Sequence, residues 1–480
     1  MRALAGIILT AGMVSLALSA MGQTTTSAPA QEGVALTVYN GGYGVVRETR
    51  VLDIPAGGQV QFTDVASAID PTTVHFQSVT DPNAKLLEQN YQFDLVSADR
   101  LLQKYIDKPV IVVTRDARYE GTLQSFDPTQ IVIKAGNTIN MIQRPDNVRD
   151  ITFPSLPEGL ITRPTLLWRV ASDKPGRQLT EVTYQTGGLA WHAEYLLVIK
   201  PDDATADLSG WISVQNNSGK MYTDARMKFI AGDVRRIQPP ARPELLARGA
   251  GPAAPAEPEV IEKPFFEYHM YTLQRPSTVA DNEIKQLEMF TPVRDLRVTR
   301  RYLYNPLDDL GWNADSRYED PAFGATSEKK VNIFIEFHNS RENHLGIPLP
   351  GGKIRVYKED PQDKAMEFIG EELITHTPKD EDLSLQIGNA FDVVGQRRQT
   401  DFRVDSGRKT MQESVEIKVR NHKGQDIMVR VKEPMYRWLT WKLTESNQQF
   451  QKLDARNVAW DVPVKADGET TVTYTVEYTW

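Results

Sequence analysis

The sequence predicts a mainly-β protein made of antiparallel, sandwich-like sheets, and three observations support this prediction. Apolar and polar residues alternate in short segments such as Val34–Tyr39 and Gly44–Leu52, which is the period of a half-buried strand. Clusters of Gly, Pro and Asn separate these segments and are typical of turns. Convincing long helices are absent from the pattern, and only Asp99–Ile106 favours one short helix.

Composition places the chain among ordinary folded proteins and excludes some functions. The 480 residues include 40% hydrophobic and 25% charged residues, no cysteine, and a net charge of -8. A chain of this length can bury a large core without disulfides, and about 150 residues per domain suggests about three domains. Because nucleic-acid-binding proteins usually carry a basic excess, the acidic balance argues against that class of partner.

The N-terminus has the layout of a secretory signal. Arg2 supplies a positive charge, Ala3–Ala20 is apolar and small, and Leu18-Ser19-Ala20 fits a cleavage site, so we predict a signal peptide over 1–20. An uncleaved anchor is the alternative interpretation of the same segment. Residues 21–33 are rich in Thr, Ser, Ala and Pro and predict a disordered leader. After the signal no apolar run approaches the roughly 20 residues of a transmembrane helix, so we expect no membrane span there.

Two small units are predicted before the main domain. Residues 34–98 read as an N-terminal β domain, and residues 99–153 combine the short helix with five short strands separated by tight turns. The second strand, Arg118–Leu123, resembles those of SH3-like and Sm-like barrels, so we predict a small barrel inserted in the N-terminal third of the chain. Sm-like relatives often bind RNA, but the barrel segment lacks a basic patch, and we interpret it as a structural module.

Residues 160–480 are predicted to form one β-sandwich domain. A Pro/Ala-rich segment over 239–264 cannot bury enough apolar surface to order itself and is expected to be an exposed loop. Asn216–Gly219 predicts a hairpin-like turn, and Gly388-Asn389 predicts another, because these residues tolerate positive φ.

Several motifs of this region resemble those of a known family. They occur in the family's order, and are Gly188–Val198, Gly210–Ala225, Phe229–Val234, Ile347–Tyr357, Phe368–Glu371, Thr375–Pro378, Leu385–Val393, Val415–Lys423 and Val429–Glu433. Over about residues 166–480 the chain resembles the domain of unknown function 4139 family, found in mucoidy-inhibitor A-like proteins of bacterial envelopes. The resemblance implies a β-rich envelope protein, in the periplasm or outer envelope of a bacterium, without an agreed activity. Many relatives carry a long coiled coil before this domain, and roles tied to it are not carried over.

The sequence offers weak candidates for metal sites and none for a cofactor or a catalytic residue. His192 and Glu194 lie on one face of a predicted strand, where they supply two ligand types that zinc accepts. Asp308 and Asp309 begin an acidic cluster that offers calcium hard oxygen ligands, although it has no EF-hand order. Phosphate-loop, HExxH and GxSxG motifs do not occur in the chain.

Three aromatic residues are candidates for an interaction surface. Trp191 and Tyr195 share one face of a predicted strand because side chains alternate. Trp480 ends a C-terminal segment in which apolar and aromatic residues alternate with Thr and Glu.

These features favour a non-enzymatic exported protein that binds an envelope protein or polysaccharide through sheet edges and aromatic side chains. The first alternative is a hydrolase acting on envelope polymers, since 63 acidic residues and the aromatic side chains could supply a paired-carboxylate cleft. The second alternative is an outer-membrane-associated protein, because the C-terminal alternation is typical of the final strands of such proteins. The sequence leaves the oligomeric state open.

Overall fold

The computed structural model confirms the mainly-β class. It describes residues 32–56, 59–93, 97–155, 162–232, 234, 260–265, 268–313, 315–325 and 327–480. The predicted signal peptide, nearly all of the predicted leader and most of the predicted Pro/Ala-rich loop lie outside these residues. Within the described residues there are 30 strands, one α-helix and one 3-10 turn. None of the helices in this part of the chain has the length and apolar character needed to cross a bilayer.

The first half of the chain contains one helix, α1 (Ala98–Lys104), and nineteen strands. These strands are β1 (Gly33–Tyr39), β2 (Tyr43–Ile54), β3 (Gln59–Thr63), β4 (Ile69–Ser78), β5 (Lys85–Gln92), β6 (Pro109–Thr114), β7 (Arg118–Phe126), β8 (Gln130–Ala135), β9 (Thr138–Gln143), β10 (Val148–Thr152), β11 (Thr165–Ala171), β12 (Gly176–Gly187), β13 (Leu189–Ile199), β14 (Thr205–Asn216), β15 (Tyr222–Ala231), β16 (Val260–Phe265), β17 (Tyr268–Leu273), β18 (Ser277–Val279) and β19 (Glu283–Arg297).

The second half contains eleven strands and the 3-10 turn Arg341–Asn343. The strands are β20 (Thr299–Tyr304), β21 (Lys330–His338), β22 (Gly352–Glu359), β23 (Met366–Ile374), β24 (Asp382–Asp405), β25 (Thr410–Asn421), β26 (Ile427–Pro434), β27 (Trp441–Ser446), β28 (Gln451–Lys452), β29 (Asn457–Val464) and β30 (Glu469–Thr479).

Two β-sandwiches form the body of the protein. In the first, the sheet β16-β17-β15-β1-β2-β12-β4, to which β18 adds, packs on the sheet β19-β14-β13-β22-β23 through one shared hydrophobic cluster. The second is a nine-stranded sheet of order β27-β30-β25-β24-β21-β20-β26-β29-β28. Its two ends face each other, since Trp460 of β29 stacks on Tyr474 of β30 with ring centroids 5.1 Å apart. Ladders are antiparallel except for β1 with β15, β13 with β22, and β20 with β26.

The two sandwiches share one pairing pattern. Strand β1 pairs with β2 and, in parallel, with β15, just as β20 pairs with β21 and, in parallel, with β26. The ladders β2–β12, β13–β14, β14–β19 and β15–β18 match β21–β24, β24–β25, β25–β30 and β26–β29. The long strand β24 thus occupies the places of both β12 and β13. The two sandwiches therefore repeat one strand-pairing topology, and we call each of them a copy.

A buried asparagine ends the same strand in each copy. The Asn216 side-chain amide donates to the carbonyl of Lys220 and, on the returning strand, to those of Val279 and Ala280. Asn421 repeats this arrangement with the carbonyls of Gln425, Val464 and Lys465. Because each amide satisfies backbone groups that the crossing chain leaves unpaired, it fixes the turn that follows.

The predicted turns at these places differ in kind from the observed ones. Asn216–Gly219 connects β14 and β15, which lie in different sheets, so it is a crossover and not a hairpin. Gly388 lies inside β24, with φ +149, where the register with β21 shifts and Ile387 is left as a bulge. A glycine permits the bend there because it has no Cβ.

The hairpin β22–β23 joins the two copies. It is inserted between β21 and β24 of the second copy, yet β22 pairs in parallel with β13 of the first. Gly352 makes this approach possible, because a Cβ at that position would lie 2.1 Å from the carbonyl oxygen of Ala193. The hairpin therefore holds the end of the first sandwich against the face of β20, β21 and β24.

The segment predicted to be a small barrel contains the expected helix and five strands. The helix is capped by Ser97, whose hydroxyl accepts from the Arg100 N–H, and the strands pair in the order β10-β6-β7-β8-β9 around a separate apolar cluster. Within the described residues no ladder joins β9 to β10, so the sheet is open and the predicted barrel closure is not found. The SH3-like detail and the domain boundaries remain predictions.

Candidate functional site

The aromatic pair predicted for an interaction surface belongs to the core. Trp191 and Tyr195 share one face of β13, as expected, but both are 2% exposed. The Trp191 indole N–H donates to the Ile230 carbonyl at 3.1 Å, and the Tyr195 hydroxyl donates to the Pro350 carbonyl at 2.8 Å. This placement corrects the prediction, because the aromatic face of β13 is the face that packs on the opposite sheet.

His192 and Glu194 lie on the other face of β13 in an ion-pair network. His192 Nε2 is 3.2 Å from Glu194 Oε1, and Arg355 Nη1 donates to Glu194 Oε2 at 3.0 Å. Burial acts to raise the pKa of Glu194, but the bonds from Arg355 and His192 outweigh it and lower that pKa. Among the described residues no three His, Cys, Asp or Glu side chains come together as metal ligands. The arrangement therefore acts as a polar surface of the sheet.

The other candidates lie apart from this pair. Asp308 and Asp309 are exposed, and Asp308 accepts a hydrogen bond from the Asn305 amide at 2.7 Å. Trp480 is half-buried, and the Arg317 guanidinium lies 4.4 Å from the centroid of its ring. The alternating residues of β30 point into the second sandwich and are buried: Val472, Tyr474, Val476 and Tyr478.

A cleft at the junction of the two sandwiches offers a better site. It encloses about 420 Å³, within the range of small-ligand sites. The first sandwich contributes the end of β13 and the turn after it, the inserted hairpin contributes β22 and β23, and the second sandwich contributes β20, β21, β24 and the turn after β25. Its apolar wall consists of Ile199, Ile333, Ile335, Ile369 and Ile387. We call this site the junction cleft.

Strand register explains how the second sandwich builds its side of the junction cleft. Arg300 lies opposite Ile335, and Tyr302 lies opposite Ile333, so the four side chains share one face of the β20–β21 ladder. Ile333 in turn lies opposite Gly388, where a Cβ would meet nothing within 4 Å. The bend in β24 thus leaves open space next to two isoleucines.

Three cations and one carboxylate line the junction cleft. Asp203 lies in the β13–β14 turn and bridges two of the cations, with Arg300 Nη1 at 3.1 Å and Lys358 Nζ at 2.8 Å. Lys423 comes from the turn that Asn421 fixes, since the Asn421 side chain accepts the Lys423 backbone N–H at 3.0 Å. In the described part of the chain no carboxylate lies within ion-pair distance of the Lys423 ammonium. The site therefore carries an excess of positive charge on an acidic protein.

Tyr302 brings an unsatisfied polar group to the cleft. The residue is 3% exposed, and its hydroxyl is buried without a hydrogen-bond partner among the described residues. Lys423 Nζ and Arg300 Cζ each lie 5.7 Å from the centroid of its ring, a cation–π distance. A buried hydroxyl without a partner costs about 1–3 kcal/mol, a cost that any bound hydrogen-bond acceptor would remove.

A second polar cluster is closed to solvent and has a structural role. Arg397 Nε donates to both carboxylate oxygens of Glu433, at 3.1 and 3.0 Å, and the Tyr474 hydroxyl donates to the same carboxylate at 2.6 Å. Burial acts to lower the pKa of Arg397, but the charges of Glu433 and Glu413 together with Tyr474 and Tyr436 outweigh it and raise that pKa, while burial raises the pKa of Tyr474. Arg397 Nη1 also donates to the Gly324 carbonyl, which ties the β20–β21 connection to the sandwich.

The fold and the junction cleft define a mainly-β protein with a duplicated sandwich and a cationic, isoleucine-lined binding site between its copies. The model of the family described as Domain of unknown function (DUF4139) matches residues 180–480, and the chain belongs to this family. The matched region begins within β12, so it omits β1 and β2, which complete the same sandwich. No curated protein matches the chain.

Sequence reasoning did not find the junction cleft. Lys423 lies in a motif that carried the family resemblance, and Arg300 and Tyr302 lie in a predicted strand with the spacing of one face. Those signals were available, but they contain no information on which strand face meets the inserted hairpin. The pairing of β22 with β13 adds Ile199, Asp203 and Lys358 to these residues and so completes the site.

Proposed function

We propose that this protein is exported to the bacterial envelope and acts there as a non-enzymatic binding module through the junction cleft. The observation that carries the proposal concerns two groups in a cleft with an apolar wall: among the described residues the Tyr302 hydroxyl has no hydrogen-bond partner, and the Lys423 ammonium, 5.7 Å from the centroid of the Tyr302 ring, has no carboxylate partner. A ligand that accepts a hydrogen bond from the Tyr302 hydroxyl and pairs with the Lys423 ammonium gains both interactions and removes the cost of the unpaired hydroxyl. Two observations support the location. They are the signal-like segment Met1–Ala20 and the motifs that resemble a family found in envelope proteins.

The composition of the cleft favours binding over hydrolysis. Glycoside hydrolysis uses two carboxyl groups that flank the scissile bond. Asp203 is the one carboxylate among the described residues that line the junction cleft, and it forms ion pairs with Arg300 and Lys358. A single carboxylate does not supply the pair of carboxyl groups that this reaction uses.

Site-specific photocrosslinking in the native cell tests the proposal. A photoreactive residue placed at Asn389, which lines the cleft, is expected to form a defined adduct that disappears in a Lys423→Gln background. The same residue at Lys442, exposed on β27 far along the sheet, is the matched control and is expected to form none. Fractionation and N-terminal sequencing of the mature chain test export. A cytoplasmic chain, or equal labelling at both positions, contradicts the proposal.

A further inference from the structure

We propose that the junction cleft binds a single-chain amphiphilic anion, an aliphatic chain that ends in a carboxylate or a phosphate. This inference rests on the proposed binding function and names the ligand class. The apolar part of the junction cleft is the set of isoleucines contributed by both sandwiches and the inserted hairpin. Because an aliphatic wall offers a ligand no hydrogen bonds, the group that fills it must be hydrocarbon, and its burial drives binding.

The head group is placed by Lys423 and Tyr302. The Lys423 ammonium has no carboxylate partner among the described residues, and it lies over the Tyr302 ring. The Tyr302 hydroxyl is buried without a partner among the described residues, and a head group that reaches it would accept its hydrogen bond. A charge-assisted bond from an ammonium and a hydroxyl bond to one anion satisfy both groups together. Arg300 adds positive charge near the same ring, with its Cζ 5.7 Å from the ring centroid.

The walls formed by β20 and β21 offer no strand edge to an extended peptide. A peptide that adds to a sheet needs a strand edge with free N–H and C=O groups. Strand β21 is paired with both β20 and β24, and β20 is paired with both β21 and β26. These walls therefore present side chains, which suit an aliphatic chain. The positive charge of the site on a chain of net charge -8 also selects an anion over a neutral sugar.

Isothermal titration of the full chain with matched probes tests the ligand class. Dodecanoate and dodecyl phosphate, each below its micelle concentration, carry the required chain and head. Three controls each lack one feature: dodecanol has no charge, dodecyltrimethylammonium has the opposite charge, and inorganic phosphate has no aliphatic chain. We expect saturable binding of at least one anionic amphiphile, and binding at least about tenfold weaker for all three controls.

Two variants tie this binding to the cleft. Lys423→Gln is expected to weaken it by about tenfold or more, and Tyr302→Phe by several fold. Tyr302→Phe removes a hydroxyl without a protein partner, so it keeps the fold, and Lys442→Gln serves as a control expected to bind like the parent. Equal loss in all three variants, or unchanged binding in Lys423→Gln and Tyr302→Phe, overturns the assignment of the site.

The failures of the two proposals are distinguishable. If inorganic phosphate binds as tightly as dodecyl phosphate, the amphiphile inference is overturned, and the cleft is an anion site of a binding module. If no probe binds while the Asn389 photoadduct still depends on Lys423, the ligand class is again overturned and the binding function stands. If neither probe binding nor the adduct occurs, both proposals are overturned.

Discussion

Removing the Arg437 side chain should open the second sandwich. Arg437 is fully buried and donates five hydrogen bonds through its two terminal nitrogens. The acceptors are the carbonyl oxygens of Tyr318, Asp320 and Phe323 and the side-chain oxygens of Gln399 and Glu413. Arg437→Met keeps most of the volume but leaves the buried Glu413 carboxylate, 3.0 Å from Arg437 Nη2, without this partner. Breaking one side of a buried ion pair costs about 3–5 kcal/mol.

Hydrogen exchange followed by mass spectrometry measures this loss by region. We expect the opening free energy of peptides from β25, β26 and β30 to fall by about 3–5 kcal/mol. Those from β6 to β10 should be unchanged, because these strands have their own apolar cluster. Arg408→Met is the control, because the Arg408 side chain is 85% exposed and its one ion pair measures 3.7 Å. A loss below about 1 kcal/mol in Arg437→Met would refute the claim that this cluster holds the sandwich closed.

Three further perturbations test the fold. Gly352→Ala places a Cβ 2.1 Å from the Ala193 carbonyl oxygen and should lower the free energy of unfolding by more than about 2 kcal/mol in urea denaturation, whereas Gly424→Ala, with nothing within 4 Å, should change it little. Trp191→Ala leaves a cavity in the first sandwich and should cost about 3–5 kcal/mol in the same assay; an unchanged midpoint would contradict its core position. The pKa of Glu194 is lowered in the folded protein from its ordinary value of 4.5. Its ionised form therefore contributes stability that is present above this ordinary pKa and is lost as the pH falls through the lowered pKa. Glu194→Gln should therefore flatten the pH dependence of the unfolding free energy between about pH 5 and 3, and an identical slope in variant and parent would contradict this.

The duplicated sandwich gives the junction cleft a structural origin. The first copy carries its long insertion between β2 and β12, whereas the second carries the hairpin β22–β23 between the matching strands β21 and β24. That hairpin adds to the sheet of the first copy, and the cleft lies between it and strands β20, β21 and β24 of the second copy. The candidate site therefore depends on the difference between the copies and not on the repeated pattern.

Local pattern was sufficient to predict the strands. In β25 burial alternates at every residue from Thr410 to Asn421, which is the alternation visible in the sequence. The short helix predicted at Asp99–Ile106 is found at Ala98–Lys104, where Ser97 caps its N-terminus. These features depend on residues that are close together in the sequence, so a local pattern is enough to predict them.

The tertiary structure decided which strands pair and which face of each strand is buried. Alternation identified the shared face of Trp191 and Tyr195 but not whether it points to solvent or to a second sheet. The same limit applied to Gly388, where a turn residue bends a continuous strand because β21 pairs across it. Tyr302 and Lys423 meet only because β20 pairs in parallel with β26, the strand that follows the Lys423 turn. The sequence by itself thus determined strands, their alternation and the family, while long-range pairing, which no local period encodes, determined the core face and the cleft.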